Sequence, residues 1–323
     1  MTQNQDWIGY LPPLYFRASK LKENWKITKE QFTMDLRHSA SCPYTLEAPS
    51  AWRDVSLKEW QESLSSTDLV AQKVDDYYIA KYHFGDTPGA HSDNLTDPLK
   101  LRQLKKSKWL NDNGTLIDIE YKINKQGFRD YHFNDQPGIA CFGDSFTFGT
   151  AVRTEDTWPS QLSKMLGTKT WNLGIPGLSL EMGVYYAQNF MDEELPNISG
   201  ICVFEPGYGI TTKVMHRSDP DRLVYQPWHR FLYDGPLTKR QMFFLKDLEE
   251  DFTNSIAHTA LFQQEIMLKS LESIAKLKGI PFITVSQNDI TPVDWGRDLM
   301  HRGPKTMELI ASSFHDKYIH ESS

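Results

Sequence analysis

Four short apolar runs, GIACF at 138–142, TKTWNL at 168–173, GICVFE at 200–205 and IPFITVS at 280–286, constrain this chain more than any other feature. Between and after them lie segments with helical spacing. In TEDTWPSQLSKML the apolar Trp158, Leu162, Met165 and Leu166 recur at the interval that puts them on one helix face. TALFQQEIMLKSLESIAKLKG is a long helix that Gly279 ends, and PKTMELIASSF starts a last helix with Pro304 in its first turn. Short buried strands alternating with helices predict an α/β fold: a doubly wound parallel sheet covered on both faces. In such sheets ligands bind beyond the carboxyl ends of the strands, and each notable motif here directly follows a strand.

The first part of the chain reads differently. Residues 1–130 are rich in Trp, Tyr, Lys and short polar breaks, and form an N-terminal accessory region of unknown role. The α/β domain is then expected over 131–323. Within the first part, SLKEWQESL predicts a helix over 56–64 that Ser56 caps. HFGDTPGAHSDNLTDP, 83–98, predicts a loop. NDNGTLIDIEYKINKQGFRD predicts a turn at Asn113-Gly114 and an alternating strand over 116–123.

Bulk properties narrow the partners. With 323 residues and a net charge of −7, the chain is a poor candidate for nucleic-acid binding. No apolar stretch has the length of a membrane span, and the N-terminus MTQNQDWIGYLPPLYF lacks a basic start with an apolar core. Three cysteines, Cys42, Cys141 and Cys202, cannot all pair, and the last two sit in apolar runs. A reducing, cytoplasmic setting is the default expectation. The triplets at Asn94, Asn113 and Asn197 are then chance matches to a glycosylation signal. No metal cluster or nucleotide fingerprint is visible, so no cofactor is expected. Oligomeric state is left open.

The stretch CFGDSFTFG puts one hydroxyl nucleophile, Ser145, just beyond a strand and between two glycines. A serine needs a base to take its proton, and a sharp turn at a strand end can aim its N–H at a developing oxyanion. Taken alone, the tripeptide is an ordinary turn; Gly85-Asp86-Thr87 is a near-copy with no role assigned. No Lys follows Gly149, which disfavours a phosphate-binding loop. For the base, RDLMHRGPKTMELI places Asp298 and His301 three apart before the last helix. A turn there lets the carboxylate reach one imidazole nitrogen while the other faces outward. Alone, the pair reads first as a local helix-flanking contact. In NLGIPGLS, Gly174 follows the second strand, where no side chain obstructs a backbone N–H.

Together FGDSFTFG, NLGIPG and DLMH followed by RGPKTMELI resemble three blocks of the SGNH, or GDSL-type, hydrolase family. YKINKQGFRD is similar to a segment that often precedes the nucleophile strand in bacterial members. The resemblance covers about residues 120–315 and implies a flavodoxin-like three-layer core. It implies Ser145 as nucleophile, His301 as base, Asp298 as its partner, and an oxyanion hole from the N–H groups of Ser145 and Gly174. One family block is missing: its Gly-x-Asn-Asp follows the third strand, but here that strand runs into FEPGYGITT. Gly207 or Gly209 is a candidate substitute donor, whereas Asn288-Asp289 falls after the fourth strand.

The stretch 208–253 is long for a strand-to-helix connection and holds Tyr208, Tyr225, Trp228, His229, Phe231 and Tyr233. Tyr208 and Trp228 are candidate substrate contacts, since aromatic side chains stack on sugar rings; the same residues read equally as a satellite core. His216 and His229 are not assigned the base role. The expected function is a serine esterase removing a small acyl group, acetyl, from a carbohydrate or other ester, so the expected partner is an acylated substrate. The alternatives are an O-acyltransferase using the same residues and a non-catalytic carbohydrate-binding or structural module with a degenerate site.

Overall fold

The structure, a computed structural model, describes residues 72–81, 86, 88–176, 180–205 and 250–321, with three further short strands at 15–17, 211–215 and 222–227. The elements in chain order are strands β1 (Tyr15–Arg17), β2 (Gln72–Val74) and β3 (Tyr77–Ala80), helices α1 (Pro88–Thr96) and α2 (Pro98–Lys106), and strands β4 (Tyr121–Ile123) and β5 (Gly138–Gly143). Helices α3 (Ser145–Phe148) and α4 (Trp158–Leu166), strand β6 (Lys169–Gly174), helices α5 (Leu180–Asn189) and α6 (Met191–Glu194), and strand β7 (Ile198–Glu205) follow. Strands β8 (Thr211–Met215) and β9 (Arg222–Pro227), helix α7 (Glu250–Lys278), strand β10 (Phe282–Ser286) and helix α8 (Pro304–Glu321) complete the order.

The four apolar runs form one sheet of order β10-β7-β5-β6, every pair parallel. The pleat sends alternate residues to opposite faces. Ala140, Phe142, Trp171, Leu173, Ile201 and Val203 share one core with Leu180 and Val184 of α5 and Leu271 and Ala275 of α7. Ile139, Cys141, Cys202, Phe204, Ile283 and Val285 share the other with Trp158 and Leu162 of α4 and Met307, Ile310 and Phe314 of α8. Helices therefore cover both faces, as the apolar runs predicted. Strand β5 lies centrally, with β6 on one side and β7 on the other. Its carboxyl end is thus where the strand order reverses, the crevice in which such sheets bind ligands.

Two expectations for the first part of the chain change. The turn-rich stretch over 83–98 contains helix α1, opened by Pro88. Its polar residues are anchored from outside: His91 Nε2 lies 2.6 Å from Asp86 Oδ1, and Asn94 Nδ2 donates to Asp298 O at 3.0 Å. The turn-forming residues predicted a loop, but here Asp86, His91 and Asn94 are buried with partners. The strand expected over 116–123 is only β4, 121–123, with Leu116 in an isolated bridge to Leu110. Carbonyls that a longer strand would have paired go to arginines: Ile117 O accepts from Arg297 Nη1 at 3.0 Å and Glu120 O from Arg129 Nη2 at 3.1 Å. The Gly114 turn is present at φ +80°, and Gly279 ends α7 at φ +65°. The helix expected over 56–64 lies outside the described residues.

Leu104, Trp109, Ile119, Tyr121 and Ile123 are buried in the same core as α4 and α8. Strand β4 also joins β2 and β3 in a small antiparallel sheet of order β2-β3-β4. Strands β1, β9 and β8 form a third sheet, also antiparallel. Among the described residues no helix is long and apolar enough to cross a membrane.

Candidate active site

Ser145 opens α3 at the carboxyl end of β5. Asp144 caps this one-turn helix, its side chain accepting from Phe146 N at 2.9 Å, and Gly149 closes it in the left-handed conformation at φ +82°. Gly143 makes the sharp exit from the strand possible: a Cβ there would run into the Thr147 side chain and lie 2.9 Å from Phe204 O. Arg129, fully buried, secures the far end of the turn by donating to the carbonyls of Gly149 and, at 2.9 Å, Val152. Burial pushes its guanidinium down to about 10, against which neighbouring charges act only in part.

His301 stands on the loop between β10 and α8. Its Nε2 lies 3.1 Å from Ser145 Oγ, and its Nδ1 lies 2.5 Å from Asp298 Oδ2. The Asp298 side chain is fully buried and that of His301 nearly so. Asp298 also holds its own loop, with Oδ1 accepting from Met300 N at 2.9 Å and His301 N at 3.0 Å. This wrap puts Leu299 at φ +59°, a conformation costing about 1–2 kcal/mol for a residue with a Cβ. The three side chains expected to meet therefore stand in one hydrogen-bonded line. The structure brings together residues 156 positions apart.

The electrostatics suit a proton acceptor. Burial disfavours a charged His301, but the adjacent Asp298 carboxylate outweighs this, aided by Asp144 and Asp86, and the imidazolium pKa rises above the ordinary histidine value. Burial also lifts Asp144, to about 6, partly opposed by the Phe146 N–H and the charges of His301 and Arg302. Phe146 packs edge-on to the His301 ring at 5.6 Å, with the Arg302 guanidinium 5.4 Å from its centre.

The oxyanion expectation divides. Among the described residues, the Ser145 N–H has no hydrogen-bond acceptor and stays available at the first position of α3. The Gly174 N–H differs: it is donated to Asn172 Oδ1 at 3.0 Å. The missing Cβ serves packing instead, because Gly174 lies directly under α3, where a Cβ would come 2.6 Å from Thr147 C. Asn172 completes the joint by donating from Nδ2 to Thr147 O at 2.9 Å. Gly177, the next glycine of that block, lies outside the described residues, as do Gly207, Gly209, Tyr208, Trp228, His216, His229, Phe231 and Tyr233. Asn288 is exposed on a single 3-10 turn beyond β10, two strands from β5 and so roughly 10 Å away by strand spacing. Among the described residues no group of three or more His, Cys, Asp or Glu stands together as a metal site.

No protein-family profile matches the chain, and no curated protein does. Solved structures do. A carbohydrate acetylesterase from Sinorhizobium meliloti is 13% identical, with 57% of this chain and 99% of that one covered, at a TM-score of 0.31. A protein provisionally assigned as an acylhydrolase, from Bacteroides fragilis, is 12% identical over 70% of this chain and 99% of its own, at 0.28. A third, provisionally assigned as a lipolytic protein of the G-D-S-L family from Desulfitobacterium hafniense, is 15% identical over 55% and 97%, at 0.27. Scores this low carry no weight for the chemistry, which rests on the geometry of Ser145, His301 and Asp298.

Residues that sequence reasoning passed over surround this line. Asp86, Asn94, Tyr121, Arg129, Asn172 and Arg297 are all buried. Several lay in stretches noted for other reasons: Arg129 in GFRD, Asp86 in the near-copy GDT, Asn172 in NLGIPG and Arg297 in RDLMH.

Proposed function

We propose that this chain is a serine esterase of the SGNH type that removes a small acyl group, acetyl, from a carbohydrate or other ester. The carrying observation is the unbroken line Ser145 Oγ–His301 Nε2–His301 Nδ1–Asp298 Oδ2, at 3.1 Å and 2.5 Å. His301 takes the hydroxyl proton as Ser145 Oγ attacks the ester carbonyl. Asp298 fixes the tautomer with the proton on Nδ1 and stabilises the imidazolium. The Ser145 N–H donates to the oxyanion. On collapse, the ester C–O bond breaks and His301 gives its proton to the departing alkoxide. A water, deprotonated by His301, then attacks the acyl-serine, and Ser145 regains its proton as the carboxylic acid leaves.

A second reading has two observations in its favour. The Gly174 amide is engaged and the third strand lacks the family's Asn, so a module that binds acylated carbohydrate with little turnover fits a depleted oxyanion hole. Losing one such donor costs about 10²–10³ in rate.

Treatment with a fluorophosphonate followed by peptide mass mapping separates the two. Esterase chemistry predicts modification at Ser145 that vanishes in Ser145→Ala and is strongly slowed in His301→Ala. No modification at any serine overturns the proposal. Release of acetate from acetylated oligosaccharides, with and without added sugar acceptors, then distinguishes hydrolysis from transfer.

A further inference from the structure

Asp86, in the near-copy of the nucleophile motif, is one of the most heavily bonded residues of the molecule. Its carboxylate is fully buried and meets four donor groups: Arg297 Nε at 3.0 Å, Arg297 Nη2 at 2.6 Å, His91 Nε2 at 2.6 Å and the Tyr121 hydroxyl at 2.5 Å. A carboxylate so enclosed is stable only while those donors stay in place. Burial pushes its pKa up, but the hydrogen bond from His91 and the charge of Arg297 prevail and hold it well below the ordinary carboxylate range.

Each donor leads to the catalytic line. Arg297 precedes Asp298 in the chain, and its backbone N–H donates to Ala151 O at 2.9 Å, just past the nucleophile turn. The Tyr121 hydroxyl, while donating to Asp86, accepts from Ala151 N at 2.9 Å. Ala151 is therefore gripped at both its N–H and its carbonyl, and it sits at φ +62°. That strain persists because the surroundings over-determine it. On the helix five residues after Asp86, the His91 ring shares the carboxylate, and Asn94 Nδ2 donates to Asp298 O at 3.0 Å. The two strained non-glycine residues of the site, Ala151 and Leu299, lie on the two segments that this network joins.

We propose that Asp86 is a positioning residue, whose buried carboxylate locks the loop carrying Asp298 and His301 against the turn carrying Ser145. The inference rests on the esterase reading and adds to it a residue outside the three catalytic blocks. Asp86 touches no reacting atom. It acts through Arg297 and Tyr121, and its charge reaches His301 through space. Among the described residues, the charged groups around His301 are Asp298 and Arg302 on its own loop, Asp144 on the nucleophile turn, and the Asp86–Arg297 pair behind them.

The test uses the full-length chain and the rate of fluorophosphonate modification at Ser145 across pH. Asp86→Asn keeps the side-chain shape and removes the charge. The expected result is a folded protein, by circular dichroism, that reacts about 10–100-fold more slowly, as misplacement of reacting groups by an ångström does. Its acid limb moves to lower pH, because a negative charge that favoured imidazolium is gone. A purely structural role leaves that limb in place. A folded Asp86→Asn protein with wild-type rate and wild-type limb overturns the proposal. If this variant does not fold, Tyr121→Phe decides, since it removes the hydroxyl that joins Asp86 to Ala151 without leaving a buried charge unpaired. Severalfold slower reaction in a folded Tyr121→Phe protein supports the lock, and a wild-type rate overturns it. Should wild-type Ser145 itself fail to react, the esterase reading falls. The positioning claim is then read from NMR titration of the His301 ring, where an unchanged pKa in Asp86→Asn overturns it.

Discussion

His301 must be neutral to accept a proton from Ser145, and its raised pKa sets where that holds. Modification of Ser145 should rise with pH through an acid limb lying above the ordinary histidine value. In Asp298→Asn that limb should move to lower pH, and the maximal rate should fall by about 10³–10⁴, because the imidazole loses its fixed tautomer. The same shift bears on stability. A raised folded-state pKa means that His301 stabilises the fold below its unfolded pKa, and that this contribution is lost as pH rises through the folded value. Asp144 acts in the same direction. Held at about 6, its carboxyl costs stability progressively as pH climbs from the ordinary aspartate value to about 6. Asp144→Asn keeps the cap on Phe146 N, so it should stabilise the protein at pH 7 by about 1–2 kcal/mol, discounted for partial exposure, and by nothing below pH ~4. Urea titrations of both proteins at the two pH values check this.

At the scale of elements, α3 is one turn long and cannot hold itself. Its position comes from β6 beneath it, Asn172 on its carbonyl and Arg129 at its exit. Gly174→Ala tests that support. The added Cβ meets the backbone of Thr147 and Phe148, so stability should fall by about 1–3 kcal/mol in thermal melts, with slower modification of Ser145 as the helix is lifted. A Gly174→Ala protein of wild-type stability would show that this contact is slack. Helix α1 makes the complementary point. It has no broad apolar face, and its place is set by polar side chains that reach buried partners on other segments.

For the whole molecule, the question is how much of the chain the catalytic core needs. Cutting before residue 131 removes Leu104, Trp109, Ile119, Tyr121 and Ile123 from the core shared with α4 and α8. At about 1.5–3 kcal/mol per buried side chain, this loss rivals the 5–15 kcal/mol that holds an ordinary domain together. A fragment of residues 131–323 should therefore show no cooperative urea transition by circular dichroism. A sharp transition in that fragment would show that the earlier segment is dispensable.

The sequence by itself determined the layered core and the ends of its strands, because burying both faces of a parallel sheet demands continuous apolar runs, and glycines mark where those runs must turn. Ser145, Asp298 and His301 stood out only because three short blocks together resemble those of one family; taken singly, the turn beyond a strand and the three-residue Asp–His spacing read as ordinary local contacts. Tertiary structure alone decided the rest. The availability of the Gly174 amide depended on a side chain two residues away, Asn172, whose direction no spacing rule specifies. The strand over 116–123 was cut short by guanidinium groups, one of them from Arg297, 180 residues along the chain from Ile117. Asp86 looked like any aspartate in a turn. A buried ion pair has no periodicity, since the burial that gives it energetic meaning exists only once distant segments have closed around it.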